Sequence, residues 1–495
     1  MLEKLKYYVT RLSIFFIAAA LIAGMAGCGP YPYSLTISST EGGEVTTPGE
    51  GRFAYSEVTV VTIVADAYEG HRFIAWTGDA DTVDDVNAPV TTITVNGDYS
   101  ITANFCPEMS GNLEIRTWYD LAAVRCNLAS NHTLMNDLDS TTAGYEELAS
   151  PAANGGKGWE PIGSYTDAFN GTLDGQGYEI RGLFINRPDE HYYIGVIGAV
   201  NEGGVVENIG MVNATVTGDV GVGGLVGMNL GTVSNSYSAG SVSGYDVVGG
   251  LVALNGGNMS DCHCTGSVSG TGSASEVTGI GGLVGMNCGD ISYCHSAGSV
   301  TGVSPAGGLV GIDYFGSVSV SYSTASVSGQ DGVGGLMGIN GLGTVSNSYA
   351  TGSATGNLGV GGLMGANVYG TVSDSYSTGT VTGNENVGGL AGFNANNGTV
   401  RNSYSTGTVT GNELVGGLLG DNAGNVTDSF WDTETSGQAT SAGGIGKATS
   451  EMQDIATFSA ALWDIVAVAN PSTRNPSCIW NIVDDETYPF LSWQS

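Results

Sequence analysis

The chain has 495 residues, with 47 Asp and Glu against 13 Lys and Arg, giving a formal net charge of −34. That imbalance excludes nucleic acid as a natural partner. Charged residues make up only 12% of the chain, hydrophobic residues 41%, and Gly fills 81 positions; this excludes an acidic disordered tail and points to many short strands joined by tight turns.

In chain order, Lys4, Lys6 and Arg11 precede an apolar stretch at 14–23. It is too short for a stable membrane span and reads as a secretory signal. Met25-Ala26-Gly27-Cys28 closes it, and small residues before a Cys resemble a bacterial lipobox, with Met25 in place of the usual Leu. The resemblance implies a signal peptide at 1–27 and a lipidated Cys28, with two acyl chains to anchor an exported protein at the cell membrane or surface. Loss of 1–27 removes three basic residues and Glu3, so the mature chain is more acidic still. Seven Cys remain, an odd number, so at least one thiol has no internal partner.

Residues 28–106 read as a separate, mainly β module. Val58-Thr59-Val60-Val61-Thr62-Ile63-Val64 and Thr92-Ile93-Thr94-Val95 alternate as strands, with turns at Gly42-Gly43, Pro48-Gly49 and Asn96-Gly97. The runs 48–51, 73–78 and 97–105 resemble a divergent internalin-type B-repeat, which implies an extracellular spacer or contact module. Asp79, Asp81, Asp84 and Asp85 cluster here but lack the spaced Gly and terminal Glu of a calcium loop, so a solvated loop is expected.

Residues 107–190 are expected to hold an N-terminal cap and the first solenoid coils. Thr117 to Arg125 reads as a short helix capped by Thr117 or Asp120. Asp174-Gly175-Gln176-Gly177 resembles runs that open some polysaccharide-degrading β-helices, although a tight turn explains it equally.

From 191 to 429 one motif recurs. Its key Leu falls at 225, 251, 283, 309, 336, 363, 390 and 418, with Val196 in a degenerate first copy. The successive spacings are 29, 26, 32, 26, 27, 27, 27 and 28 residues. Such a period marks a solenoid. In one copy, Val222–Val226, Thr232–Ser238 and Ser241–Ser243 have strand character, so three short strands per coil are expected. The expected fold is all-β: a right-handed parallel β-helix of 26–28-residue coils stacked about 4.8 Å apart.

Three ladders follow. Asn229, Asn255, Asn287, Asn340, Asn367, Asn394 and Asn422, with Asp313 among them, lie four residues after the key Leu. Asn suits a left-handed corner and can hydrogen-bond from coil to coil. Tyr237, Tyr322, Tyr349, Tyr376, Tyr404 and Phe430 share one position, with His263 and His295 between them. Alternation puts either these rings or the small residues beside them inward. Volume favours buried rings, whereas Cys and Ala substitutions favour buried small residues. If the rings are exposed, Tyr322, Tyr349, Tyr376 and Tyr404 form a stacking surface for sugars. Asp219, Asp246, Glu276, Asp331, Glu385 and Glu413 form an interrupted acidic row, read as a solvated edge in preference to a cation or acid/base site. Cys262 and Cys294 share a position, so coil stacking allows either a disulfide or two stacked thiols.

The repeat resembles the GLUG motif: Gly-Leu-x-Gly in seven copies, with Val-Ser-Asn-Ser-Tyr-Ser-x-Gly at 233–240 and close copies from 345, 372 and 400. The resemblance implies an exported repeat protein, either adhesin-like or a non-catalytic part of an IgA-protease-type metallopeptidase. No His lies in a His-Glu-x-x-His motif, so peptidase activity is not implied. In the tail, 430–495, a helix from Ser450 to Leu462 and the aromatics Trp463, Trp480, Tyr488 and Phe490 are expected to cap the last coil. The expected function is adhesin-like binding of an extracellular glycan or surface protein, with no catalytic, metal or cofactor site. The alternative is a β-helix enzyme acting on polysaccharide.

Overall fold

A computed structural model describes residues 33–107, 111–189, 193–272, 279–303 and 305–494; Cys28, His191, Glu276 and Ser304 lie outside it. The chain is all-β, a small module followed by a parallel β-solenoid and a mixed C-terminal segment.

In the module, four strands pair in the order Gly51–Tyr55, Tyr33–Ser39, Tyr99–Pro107, His71–Gly78, and three in the order Gly43–Thr47, Thr59–Ala67, Val90–Val95. Alternation turns Leu35, Ile63, Ile93 and Ile101 into one core around Trp76. A Cys106–Cys126 disulfide joins module to solenoid. Lys157 pairs with Asp81 at 2.7 Å and Arg72 with Asp167 across the same junction.

The solenoid starts with Leu113–Ile115, His132–Leu134 and Thr172–Asp174, which stack in parallel. Between the first two lies helix Trp118–Ala123. Thr117 caps it, its Oγ1 accepting from Asp120 N at 3.2 Å while Asp120 Oδ2 accepts from Thr117 N at 2.9 Å.

Later coils feed four parallel sheets, not the three strands expected. One coil contributes Val220–Gly223, Val226–Asn229, Thr232–Ser234 and Tyr237–Gly244. The first expected segment breaks at Gly224-Leu225, and Gly is required there because a Cβ on Gly224 would lie 2.4 Å from the Gly250 carbonyl oxygen of the next coil. The second breaks at Asn235, whose φ of 46° makes a left-handed corner. This corner recurs at Asp261, Tyr293, Val320, Asn347, Asp374, Asn402 and Asp428. The left-handed corner is therefore here and not at the Asn229 ladder, whose residues close ordinary strands.

The bore is filled by columns of like residues. All eight key Leu are fully buried, and Val233, Met259, Ile291 and Val318 stack in register. Each large aliphatic side chain contributes roughly 1.5–3 kcal/mol on burial, an upper figure for an extended unfolded chain.

The tail divides into two parts, which corrects the expectation of a single end cap. Residues 431–447 close the last coil. Trp431, in register with Ser405, spreads over Gly417, where no further coil follows. Ser441 Oγ accepts from Leu418 N and Leu419 N at 3.2 and 2.9 Å, and Ile445–Lys447 pairs with Phe430–Asp432. Residues 448–494 instead turn back along the flank. Their helix is two short ones, Thr449–Met452 and Ile455–Ala460, broken by Asp454, whose Oδ1 accepts from Ala456 N at 2.7 Å; Ser450 lies inside the first and caps nothing. Trp463 and Trp480 pack with Tyr404, Phe430 and Phe458 in a cluster separate from the bore.

Candidate ligand-binding face

The sheet built on Tyr237–Gly244 and its repeats carries both expected and unexpected features. Residues on either side of each ring face the bore: Ser236, Cys262 and Cys294 before it and Ser238, Cys264 and Ser296 after it are buried. Alternation then sends the rings outward. They form one column from Tyr237 through His263, His295, Tyr322, Tyr349 and Tyr376 to Tyr404, with centroids 4.8–5.1 Å apart and planes within 7°.

This geometry bears on the alternative, left open by the sequence, of a stacking surface for sugars. Ring faces inside the column are occupied by their neighbours, so Tyr322, Tyr349 and Tyr376 offer only edges, and Tyr404, at the end of the column, is buried. The C-terminal flank then covers those edges. Trp493 lies 6.3 and 5.7 Å from Tyr322 and Tyr349, and Trp480 lies 6.0 and 5.8 Å from Tyr376 and Tyr404. Tyr404 Oη donates to Pro489 O at 2.5 Å, and Gln494 Nε2 to Tyr376 Oη at 2.7 Å. Burial pushes both phenols above the ordinary tyrosine range. At the uncovered end, burial lowers the pKa values of His263 and His295, and His263 lowers that of His295 further. Tyr237 donates to Glu179 and is pushed up to about 12, first by burial and then by that carboxylate.

Beside the rings lies an array that the sequence reading passed over. Thr217, Ser243, Ser269, Thr301, Ser328, Thr355, Thr382 and Thr410 stand in register on consecutive coils. Two residues before each stand Thr215, Ser241, Ser267, Ser299, Ser326, Ser353, Thr380 and Thr408. The residue between them is Val or Ala and is buried, while every member of both ranks is exposed or half-exposed. The hydroxyls thus form a two-rank lattice, roughly 4.7–4.9 Å from coil to coil and about 6.7 Å across the ranks. Some pair with each other, as Ser267 does with Ser241 at 3.1 Å. The recurring Ser/Thr-Val-Ser/Thr triplet was the signal available in the sequence.

The other ladders are internal. Asn229 Nδ2 donates to Asn255 Oδ1 at 2.8 Å, Asn255 to Asn287 at 2.8 Å, and Asn287 to Asp313 at 3.1 Å. The series resumes from Asn340 to Asn367, Asn394 and Asn422 at 2.8–2.9 Å. Seven of these eight side chains are buried; only Asn422, in the last coil, is not. Cys262 and Cys294 are free thiols; Cys294 Sγ accepts from Cys262 N at 3.4 Å, the position that serine hydroxyls fill in later coils.

The acidic row does not converge. Asp246 stands beside Val220, not Asp219, and Leu358 separates Asp331 from Glu385, leaving Glu385 and Glu413 as its adjacent pair. Asp174 Oδ1 accepts from Gln176 N at 2.8 Å and Asn208 Nδ2 at 2.9 Å, so the Asp-Gly-x-Gly run is a turn. Asp79 and Asp85 accept from Ser100 N and Asn87 N, and Asp81 pairs with Lys157. Among the described residues no group of three or more His, Cys, Asp or Glu could hold a metal ion.

Two family models match segments of the chain. Residues 33–108 match the divergent InlB B-repeat domain, and residues 383–410 match the GLUG motif. The chain is 34% identical over 137 residues to halomucin of Haloquadratum walsbyi, covering 27% of this chain and 1% of that protein. It is 43% identical over 84 residues to a protein of Evansella cellulosilytica named as a Gly-rich membrane protein, covering 16% of this chain and 10% of that one. The chain therefore spans a small fraction of these relatives. Among solved structures, an IgA1 protease aligns at a TM-score of 0.36 and 14% identity over 72% of this chain and 25% of its own. A Bacteroides ovatus protein assigned as an immunoglobulin A1 protease aligns at 0.30 and 18% over 77% and 92%. Among the described residues no helix is long and apolar enough to cross a membrane.

Proposed function

We propose that the chain is an exported, adhesin-like surface protein, anchored through lipidated Cys28, that binds an extracellular glycan through the hydroxyl lattice and performs no catalysis. The observation that carries the binding role is the lattice itself: two ranks of outward hydroxyls over eight coils, held flat by a buried apolar residue between each pair. Hydroxyls donate and accept, so they match the hydroxyl-rich surface of a polysaccharide. Individual contacts are weak, and repetition along the solenoid multiplies them into avidity. The basic residues, apolar stretch and Met25-Ala26-Gly27-Cys28 support export and anchoring.

The test is a glycan array probed with the mature chain and with the Ser328→Glu/Thr355→Glu variant. Binding that the variant loses, with its melting temperature unchanged, supports the reading; no binding, or equal binding by both, sinks it. Release of sugar from bound polysaccharide would instead favour the enzyme, with Glu385 and Glu413 as its adjacent carboxylates. For the anchor, Cys28→Ala should move the protein from the detergent phase to the aqueous phase.

A further inference from the structure

The amide ladder runs in one direction, each Nδ2 donating to the Oδ1 of the next coil, and at Asp313 it meets a side chain with no N–H to pass on. Asp313 Oδ1 fills the acceptor position normally, taking Asn287 Nδ2 at 3.1 Å and Gly316 N at 2.9 Å. Its Oδ2 takes the place of a donor. A Cβ built on Gly316 would fall 2.1 Å from Nδ2 of Asn287, and one on Gly370 would fall 2.1 Å from Nδ2 of Asn340. The equivalent Cβ on Gly343 would fall 1.9 Å from Oδ2 of Asp313. Asp313 pairs in register with Asn340, whose Oδ1 already accepts from Gly343 N at 3.0 Å. Oδ2 is buried and has no hydrogen-bond partner. A carboxylate there sets oxygen against oxygen in a site with no water to relieve it.

We propose that Asp313 is carried as a neutral carboxylic acid whose Oδ2–H donates to Oδ1 of Asn340, and that its ionisation cuts the ladder, making this coil an alkali-sensitive joint of the solenoid. Burial, the dominant cause, holds the carboxyl up to about 7, against the lowering effect of Gly316 N and Asn287. The titratable groups facing it are Asp290 on the preceding coil, a like charge that opposes ionisation, and the Cys288 thiol, pushed up to about 12 and neutral. Asn287 and Asn340, above and below, carry no charge.

The sign follows from linkage. The folded pKa lies above the unfolded value, so the stabilisation is complete below about pH 4 and is lost as pH rises through about 7. The experiment is urea unfolding of the mature chain and of Asp313→Asn at about pH 5 and about pH 8.5. The variant supplies a permanent N–H, so its midpoint should exceed that of wild type at the higher pH, and the gap should narrow at the lower. A gap that does not change with pH overturns the proposal. Infrared spectra of wild type provide a second measurement that needs no variant. A protonated carboxyl band should persist above about pH 6, where exposed carboxyls have ionised, and Asp290→Asn should move its midpoint to lower pH. Absence of that band above about pH 6 also overturns the proposal.

Discussion

The indole Nε1 of Trp493 donates to the backbone carbonyl of Asn347, 146 residues earlier, at 3.1 Å. Trp463 does the same to Asp428 O at 2.8 Å. Both acceptors belong to the left-handed corner column and stand two residues before an aromatic ring, Tyr349 and Phe430. The C-terminal flank thus reads the solenoid's own repeat: one indole N–H to a corner carbonyl, one ring against the column.

Two truncations separate the end cover from the flank. A chain ending at Lys447 keeps Trp431 and Ser441 over the last coil and should stay monomeric, with a lower melting temperature because the ring edges are uncovered. A chain ending at Asp428 leaves open strand edges and should aggregate. Size-exclusion chromatography with light scattering distinguishes them; identical behaviour of the two would refute the division.

Trp480 is fully buried between Tyr376, Tyr404 and Trp463. Trp480→Ala should cost about 3–5 kcal/mol in urea unfolding. If the flank melts as a separate unit, the loss will appear in a distinct early transition monitored by Trp fluorescence.

The amide ladder should show positional dependence. Asn367→Ala removes a donor to Asn394 and the acceptor for Asn340, both buried, and should cost about 1–3 kcal/mol by chemical denaturation. Asn422→Ala, in the last coil, removes the acceptor for Asn394 Nδ2 and Gly424 N but no donor to a further coil, at a less buried site, and should cost less. Equal losses would mean that the ladder does not act through buried hydrogen bonds.

Acid should weaken the imidazole pair in the ring column. Burial depresses the pKa values of both His263 and His295, so the neutral forms are favoured in the fold. Their stabilising contribution is present above the unfolded value near 6.5 and lost as pH falls through the lower folded values. The rings sit 4.8 Å apart, so two imidazolium charges would also repel each other. His263→Tyr/His295→Tyr, which extends the tyrosine column, should flatten the fall in melting temperature below about pH 6. A fall of the same steepness in this variant would remove the histidines as its cause.

Thiol mapping tests the cysteine arrangement. Non-reduced peptide analysis should recover Cys106 linked to Cys126 and no Cys262–Cys294 pair. Cys262→Ser and Cys294→Ser should each change the melting temperature little, since serine hydroxyls accept the same backbone N–H bond at Ser321 and Ser348.

The sequence by itself determined the solenoid. Leu225 and its seven equivalents recur at a near-constant period, and stacking identical coils is the way that such a period buries one continuous core. It also determined that a β module, read at 28–106, precedes the solenoid, through alternation and turn residues, and it determined the amide ladder, through seven Asn in one register. It did not determine which way the ring column faces, because alternation fixes only that Tyr237 and Ser238 point to opposite sides. Packing decided that: a Cβ on Gly250 already lies 2.4 Å from Cys264 Sγ, so the bore at this position holds only small side chains and the rings must go out. Nor did the sequence show that Trp480 and Trp493 lie along the flank and not over the end, or that Asp313 Oδ2 occupies a donor's place. The first are contacts between residues far apart in the chain, with no period to announce them; the last depends on Asn287 Nδ2 and Gly316 N both taking Oδ1, which the register of the ladder does not say. They exist only once the coils have stacked and given each residue its neighbours.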